Sequence, residues 1–200
     1  MYSFLEVSYD TIHVKLVSFW KWGVSVKDHL KLVSIEDINE EQIRDFYDDW
    51  KAHGERITPS GLRSYPDDFE SFQRELALED SGEGLKPGRV RNGTYFLLRG
   101  NSEIVGATNI RYDLTEDLEA TGGHVGYGVK PSVRGRGYAT YILRKALGIL
   151  KQEGVERALV AVNSDNLPSE KVIKNNGGKQ AESVTEPWGN IVDRYWIDLN

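Results

Sequence analysis

The chain has 200 residues, 28% of them charged and 39% hydrophobic, with no cysteine, four histidines and a net charge of −6. That length suits one domain able to bury a core. The lack of cysteine removes disulfides, thiolate metal sites and a thiol nucleophile, and fits a reducing cytoplasm. His13, His29, His53 and His124 are too scattered to suggest a metal centre. The negative charge argues against a general nucleic-acid binder. No stretch is apolar for long enough to span a bilayer, so no membrane role is expected. Glu6, Asp10, Lys15 and Lys21 interrupt the apolar N-terminal stretches, which speaks against an ordinary signal peptide.

Residues 1–28, rich in aromatic and β-branched side chains, read as an extension forming an extra strand or hairpin ahead of a single domain over 29–200. Residues 29–34 alternate like a strand. Ser34 is expected to open a helix, with Asp37 completing a capping box. Ile35, Ile38, Ile43, Phe46, Tyr47 and Trp50 recur at helical spacing, and Gly54 can end the run. The acidic run from Glu36 to Asp49 reads as a solvated helix face or as an entrance attractive to a cationic amine. A second helix is expected from Pro66, with Phe69, Phe72 and Leu76 as its stripe. Residues 94–99 and 103–112, on either side of Gly100-Asn101-Ser102, read as a β-hairpin. Arg111 at its end could pair with an acid or bind a substrate carboxylate.

Residues 124–130 form a strand pattern with glycines at 126 and 128, leaving one face nearly bare. Such a face marks close approach of a ligand or of another backbone. Alternation places His124 on that face, opposite Val125, Tyr127 and Val129. His124 reads either as a satisfied structural histidine or as a catalytic one, and Tyr127 as a packed aromatic or as part of a reaction site. Then comes VKPSVRGRGYATYI, from Val129 to Ile142. After it, Ala139, Ile142, Leu143, Ala146, Ile149 and Leu150 make an amphipathic helix. Residues 158–162 read as a buried strand, and Asn166 and Ser169 open another helix, each as a cap or a ligand contact. Two more strands are expected over 179–184 and 191–199.

Glycines in the loop let amide N–H groups approach a ligand closely. The first turn of the helix adds unpaired donors and a positive dipole end. Together they suit a phosphate or diphosphate, with Arg134 and Arg136 supplying charge. A dinucleotide fingerprint fits poorly, because residues 130–134 separate the strand from the first glycine. A Walker loop fails because no Gly-Lys-Ser/Thr follows.

Val129, Pro131, Arg134, Gly135, Gly137 and Ala139, read as V-x-P-x-x-R-G-x-G-x-A, resemble the acetyl-CoA-binding motif of the GNAT superfamily of N-acetyltransferases. Asn166-Leu167-Pro168-Ser169 and the segment from Val172 to Gly178 are similar to a later segment of that family. The resemblance is strong over residues 94–200, looser over 29–81 and absent over 1–28. It implies an α/β (α+β) fold with a mixed, mostly antiparallel central sheet, splayed strands and helices on both faces. It implies acetyl-CoA as cosubstrate, with the amides of Arg134, Gly135, Arg136, Gly137, Tyr138 and Ala139 on the diphosphate. Tyr127, Gly128 and Val129 would then flank the pantetheine arm, joined by Asn166 and Ser169. An amine, from a small molecule or a peptide N-terminus, would attack the thioester directly, with a backbone N–H near Val129 on the oxyanion. Many members carry a tyrosine acid where this chain has Ile173, so Tyr127, Tyr138, Tyr141 or solvent could substitute, or catalysis could rest mostly on positioning. The rival expectations are a non-catalytic acyl-CoA-binding domain and, more remotely, a nucleotide-binding oxidoreductase. A homodimer could form through residues 1–28 or the last strand.

Overall fold

Among the described residues, apolar residues at alternate positions give eight strands, arranged as two sheets that share one opening. The computed structural model describes residues 29–63, 68–85, 87–100 and 102–199. The extension 1–28 and the expected helix start at Pro66 lie outside them. β1 (Leu30–Val33), β2 (Asn92–Arg99), β3 (Glu103–Arg111) and β4 (Val125–Val129) follow one another in an antiparallel sheet. β5 (Arg157–Asn163) pairs with β8 (Ile191–Asp198), whose other edge carries the short strands β6 (Lys179–Gln180) and β7 (Val184–Thr185). The last strand therefore has neighbours on both edges and is not the free edge that pairing between chains would use. Ile191 is 45% exposed at the strand's start, whereas Val192, Tyr195, Ile197 and Leu199 are buried.

Helices cover both faces. Phe96, Leu98 and Ala107 pack with Ile43, Phe46 and Trp50 of α1 (Glu40–Ala52) and with Phe72 and Leu76 of α2 (Phe69–Ser81). Leu97 and Val105 point the other way, towards Tyr138 and Ile142 of α3 (Tyr138–Gln152). Leu143, Ala146 and Leu150 continue that layer over Ile110, Val125, Ala158 and Val160, and Ile173 of α4 (Leu167–Asn175) joins it. Ile142 and Leu143 are fully buried, each contributing about 1.5–3 kcal/mol through burial. Leu143→Ala would cost about 2–5 kcal/mol, since a tight core collapses only partly around the cavity.

The first helix does not start at Ser34. Residues Ile35–Asp37 form a single 3-10 turn without a side-chain cap, and Ile38 is extended. Ile35 and Ile38 are both buried, so the turn serves the core instead of extending the helix. The capping box lies five positions on from the expected one. The Asn39 side-chain oxygen accepts from the Gln42 N–H at 2.9 Å, and the Gln42 side-chain oxygen accepts from the Asn39 N–H at 2.9 Å. α2 is capped by Asp68, which accepts from the N–H groups of Glu70 and Ser71. Among the described residues no helix is long and apolar enough to cross a membrane.

Between the sheets, the residues just before β4 meet the middle of β5. Gly123 bridges to Val160, and the His124 N–H donates to the Leu159 carbonyl at 2.7 Å. Beyond that contact the strands part.

Candidate functional site

The loop between β4 and α3 begins with a 3-10 turn, Pro131–Val133. Gly135 (φ 77°) and Gly137 (φ 84°) then take left-handed conformations that carry the chain into α3. A Cβ at Gly135 would have no atom within 4 Å, so the loop's outer surface is open. Gly137 is the N-cap of α3, and no side chain caps this helix. The first intrahelical bond at this end runs from the Tyr141 N–H to the Gly137 carbonyl. The amides of Ala139 and Thr140 before it are donors of the kind that a helix start leaves unpaired. Arg136 is exposed beside them. Donors without Cβ atoms in the way, a dipole end and a cation suit a diphosphate.

Of the residues expected here, Arg134 is committed elsewhere. Its guanidinium donates to both oxygens of Glu55 at 2.9 and 2.8 Å, and its Nε donates to the Val129 carbonyl at 3.1 Å. It also lies 5.1 Å from the centre of the Trp50 ring. The charge of Arg134, through this hydrogen bond, holds the Glu55 carboxyl below its usual range. Both side chains are nearly half exposed, so the pair contributes at most about 1 kcal/mol. A second tie joins α1 to the loop, because Asp49 accepts from the N–H of Ser132 at 3.2 Å and from its hydroxyl. The linear pattern carries no sign of Asp49 or Glu55, which lie 83 and 79 residues from their partners. Tyr138 is buried with its hydroxyl accepting from Arg99, so only its main chain faces the loop.

Where β4 and β5 part there is a cleft of about 220 Å³, lined by Thr58, Val125, Gly126 and Tyr127 on one bank and by Ala161, Asn163, Asn166, Ser169 and Ile173 on the other. Two bonds set the alternation of the β3–β4 ladder: the Arg111 N–H donates to the His124 carbonyl, and the Lys130 N–H to the Val105 carbonyl. Val125, Tyr127 and Val129 therefore turn their main-chain N–H and C=O groups away from β3, towards the opening. The bare face of β4 is explained by another backbone. A Cβ at Gly128 would overlap the Thr58 carbonyl, and one at Gly126 would sit 3.5 Å from Pro59.

Tyr127 reaches across to α4, where its hydroxyl donates to the Ser169 carbonyl at 3.3 Å. Burial pushes its phenol up to about 12, so it stays protonated at neutral pH. Ile173 is fully buried on the same helix. The other tyrosines weighed for that role lie elsewhere: Tyr138 in the core, and Tyr141 with its hydroxyl on the Leu30 carbonyl at 3.2 Å. The Asn166 side chain accepts from the Ser169 N–H at 3.2 Å, capping α4.

His124 is buried, and its Nδ1 accepts from the Leu159 N–H at 2.9 Å. Burial lowers its pKa, so the ring is neutral and pins β4 to β5 at the root of the cleft. Arg111 forms no ion pair among the described residues, contrary to the expected pairing with an acid. It donates to the carbonyls of Gly122 at 3.4 Å and Gly123 at 3.0 Å. No cluster able to hold a metal ion occurs among the described residues.

The Acetyltransferase (GNAT) family profile matches residues 35–177. No curated protein matches the chain. Among solved structures, an N-acetyltransferase from Staphylococcus aureus Mu50 superposes with a TM-score of 0.58 at 15% identity, covering 86% of this chain and 99% of that one. RimL, described as a ribosomal L7/L12 alpha-N-protein acetyltransferase in complex with coenzyme A, superposes with a TM-score of 0.60 at 16% identity, covering 86% and 96%. MccE, described as a microcin C7 self-immunity acetyltransferase in complex with acetyl-CoA and AMP, superposes with a TM-score of 0.61 at 14% identity, covering 84% and 92%. These likenesses show the fold, and the profile match, which spans most of the chain, shows the family: this protein belongs to the GNAT acetyltransferases.

Proposed function

We propose that the protein transfers the acetyl group of acetyl-CoA to a primary amine, on a small molecule or a peptide N-terminus, by direct attack with both substrates bound. One observation carries this reading: the uncapped, glycine-led start of α3 lies at the end of the strand whose edge opens into the cleft. The amides from Gly135 to Ala139 and the Arg136 side chain hold the diphosphate. Arg134, paired with Glu55, contributes little free charge to that site. The main-chain groups of Tyr127 and Val129, with Gly128 between them, align the pantetheine arm along the open edge. Asn166 and Ser169 close the far bank. The cleft then places the thioester carbon between β4 and β5, and the Val129 N–H meets the oxyanion.

The acceptor must attack as the free amine, and with a pKa near 10 its deprotonation at pH 7 costs roughly 4 kcal/mol. Among the described residues the cleft lining holds no carboxylate and no histidine, so the proton leaves to solvent and positioning carries most of the rate. The leaving thiolate needs a proton, and Tyr127 is the phenol that reaches α4 in place of the missing tyrosine. His124 is structural in this account. The lack of cysteine and the need for acetyl-CoA are consistent with a cytoplasmic reaction.

Ile173 and the uncharged lining favour a second reading, a domain that binds acyl-CoA without turning it over. Thermal melting with coenzyme A followed by thiol release over an amine panel separates the two. Transfer predicts amine-dependent release, whereas the second reading predicts stabilisation without release. The rate should rise with pH as the amine deprotonates and show no falling limb up to pH 10, because Tyr127 keeps its proton until about 12. Tyr127→Phe should lower kcat by about 10²-fold; an unchanged kcat would remove Tyr127 from the mechanism.

A further inference from the structure

Two cations on the cleft's face are unused by this chemistry. Among the described residues, five arginines and lysines are at least partly withdrawn from solvent: Arg91, Arg99, Arg111, Lys130 and Arg194. Three are ion-paired, Arg91 with Glu153, and Arg99 and Lys130 with Glu103. Arg111 and Arg194 are not. Arg111 donates only to two carbonyls. The Nε of Arg194 is buried and has no hydrogen-bond partner, an arrangement that is unfavourable unless something supplies an acceptor.

Strand register puts both arginines on one face. Arg111 stands opposite His124 and shares a face with Gly126 and Gly128, the face covered by Thr58. On the other sheet, Arg194 pairs with Ala161, and Val192 pairs with Asn163. Val160 and Tyr195, the pair next to Arg194, pack against α3 on the opposite side, so Arg194 stands on the side away from that helix. Ala161, Asn163 and Val192 all line the cleft. The two arginines thus stand one strand back from the cleft on opposite sides, Arg111 on the strand beside β4 and Arg194 on the strand beside β5. Asp113 and Glu119 lie near enough to act on His124 through space, but neither forms an ion pair with either arginine.

We infer that the acceptor amine carries a carboxylate, and that Arg194 receives it with Arg111 adding positive field from the other bank. A guanidinium matches a carboxylate as a two-pronged donor, and an acid held by its terminal nitrogens would give this unpaired cation a partner while its amine reaches into the cleft. The inference rests on the transferase reading. The carboxylate could belong to a free amino acid or to an acidic side chain near a peptide's N-terminus.

The test uses the full chain loaded with coenzyme A for calorimetric binding and with acetyl-CoA for thiol release. Each of the twenty common amino acids is compared with its own amide, and a series of dipeptide amides is compared with aspartate or asparagine in second place. The acid member of one series should bind at least ten-fold tighter and show a correspondingly lower KM; the series in which this occurs identifies the source. The acid-to-amide ratio should fall to near one in Arg194→Gln and to an intermediate value in Arg194→Lys, which keeps the charge and guards against loss of folding. Release of coenzyme A without any acid preference, or a preference unchanged in both variants, overturns the inference and leaves the transferase reading standing. Arg194-dependent binding of acids without release supports the inference and sinks the transferase reading. No binding and no release overturns both.

Discussion

Among the described residues, three α-helices begin one way and a fourth begins another. α1, α2 and α4 start on Asn39, Asp68 and Asn166, each of which turns a side-chain oxygen back onto its own first-turn amides. α3 starts on Gly137, in a left-handed conformation, with no side-chain cap. It is also the longest of the four and the one most deeply packed. A cap worth about 1 kcal/mol is dispensable where the core already holds the helix. Its absence leaves donors pointing outward, next to the exposed Arg136 and the open surface of Gly135. The contrast separates helix ends finished by local structure from one left for a ligand.

Changes that erase the contrast should matter most. Gly137→Asp would give α3 an acidic start like that of α2. Its side chain gains about 0.3–1 kcal/mol from the helix dipole and loses about 1–2 kcal/mol to the left-handed backbone, so the melting temperature should barely move. Coenzyme A affinity should fall about 100-fold, roughly 2.7 kcal/mol, as carboxylate and diphosphate compete for the same amides. Arg136→Glu should weaken binding about ten-fold at low salt, and the loss should shrink as ionic strength screens it. The reverse dissociation is expected at α1. Asn39→Ala should cost about 1 kcal/mol of stability, read by denaturant titration, with the coenzyme A dissociation constant unchanged. The smallest effect concerns the two loop arginines, one bound to Glu55 and one exposed. Glu55→Gln should free Arg134 and remove a nearby negative charge, tightening coenzyme A by a factor of about three or less. A large loss instead would mean that the pair shapes the loop decisively.

What the linear pattern revealed was local or periodic. The loop announces itself because its glycines and arginines are contiguous and open onto the amphipathic run of α3. The hairpin of β2 and β3 is marked by alternation around Gly100. Cap chemistry was only partly readable. Ser34 and Asp37 have the right types and spacing, yet burial of Ile35 and Ile38 overrules them and Asn39 takes the role. The contacts of Asp49 and Glu55 with the loop, and of Thr58 with Gly128, join residues far apart in sequence, so only the packing of α1 against β4 shows them. The bare face of β4 was visible as glycines, but whether a ligand or a backbone filled it was not. Arg111 and Arg194 stand together on one face only because two separate registers align them.

The most direct measurement is a titration of isotope-labelled protein with coenzyme A, followed by amide NMR at all four helix starts in one experiment. The largest shifts should fall on the amides from Gly135 to Ala139, with those at Gln42 and Ser71 moving far less. Saturable binding that left the α3 amides in place and moved another part of the molecule would contradict the account.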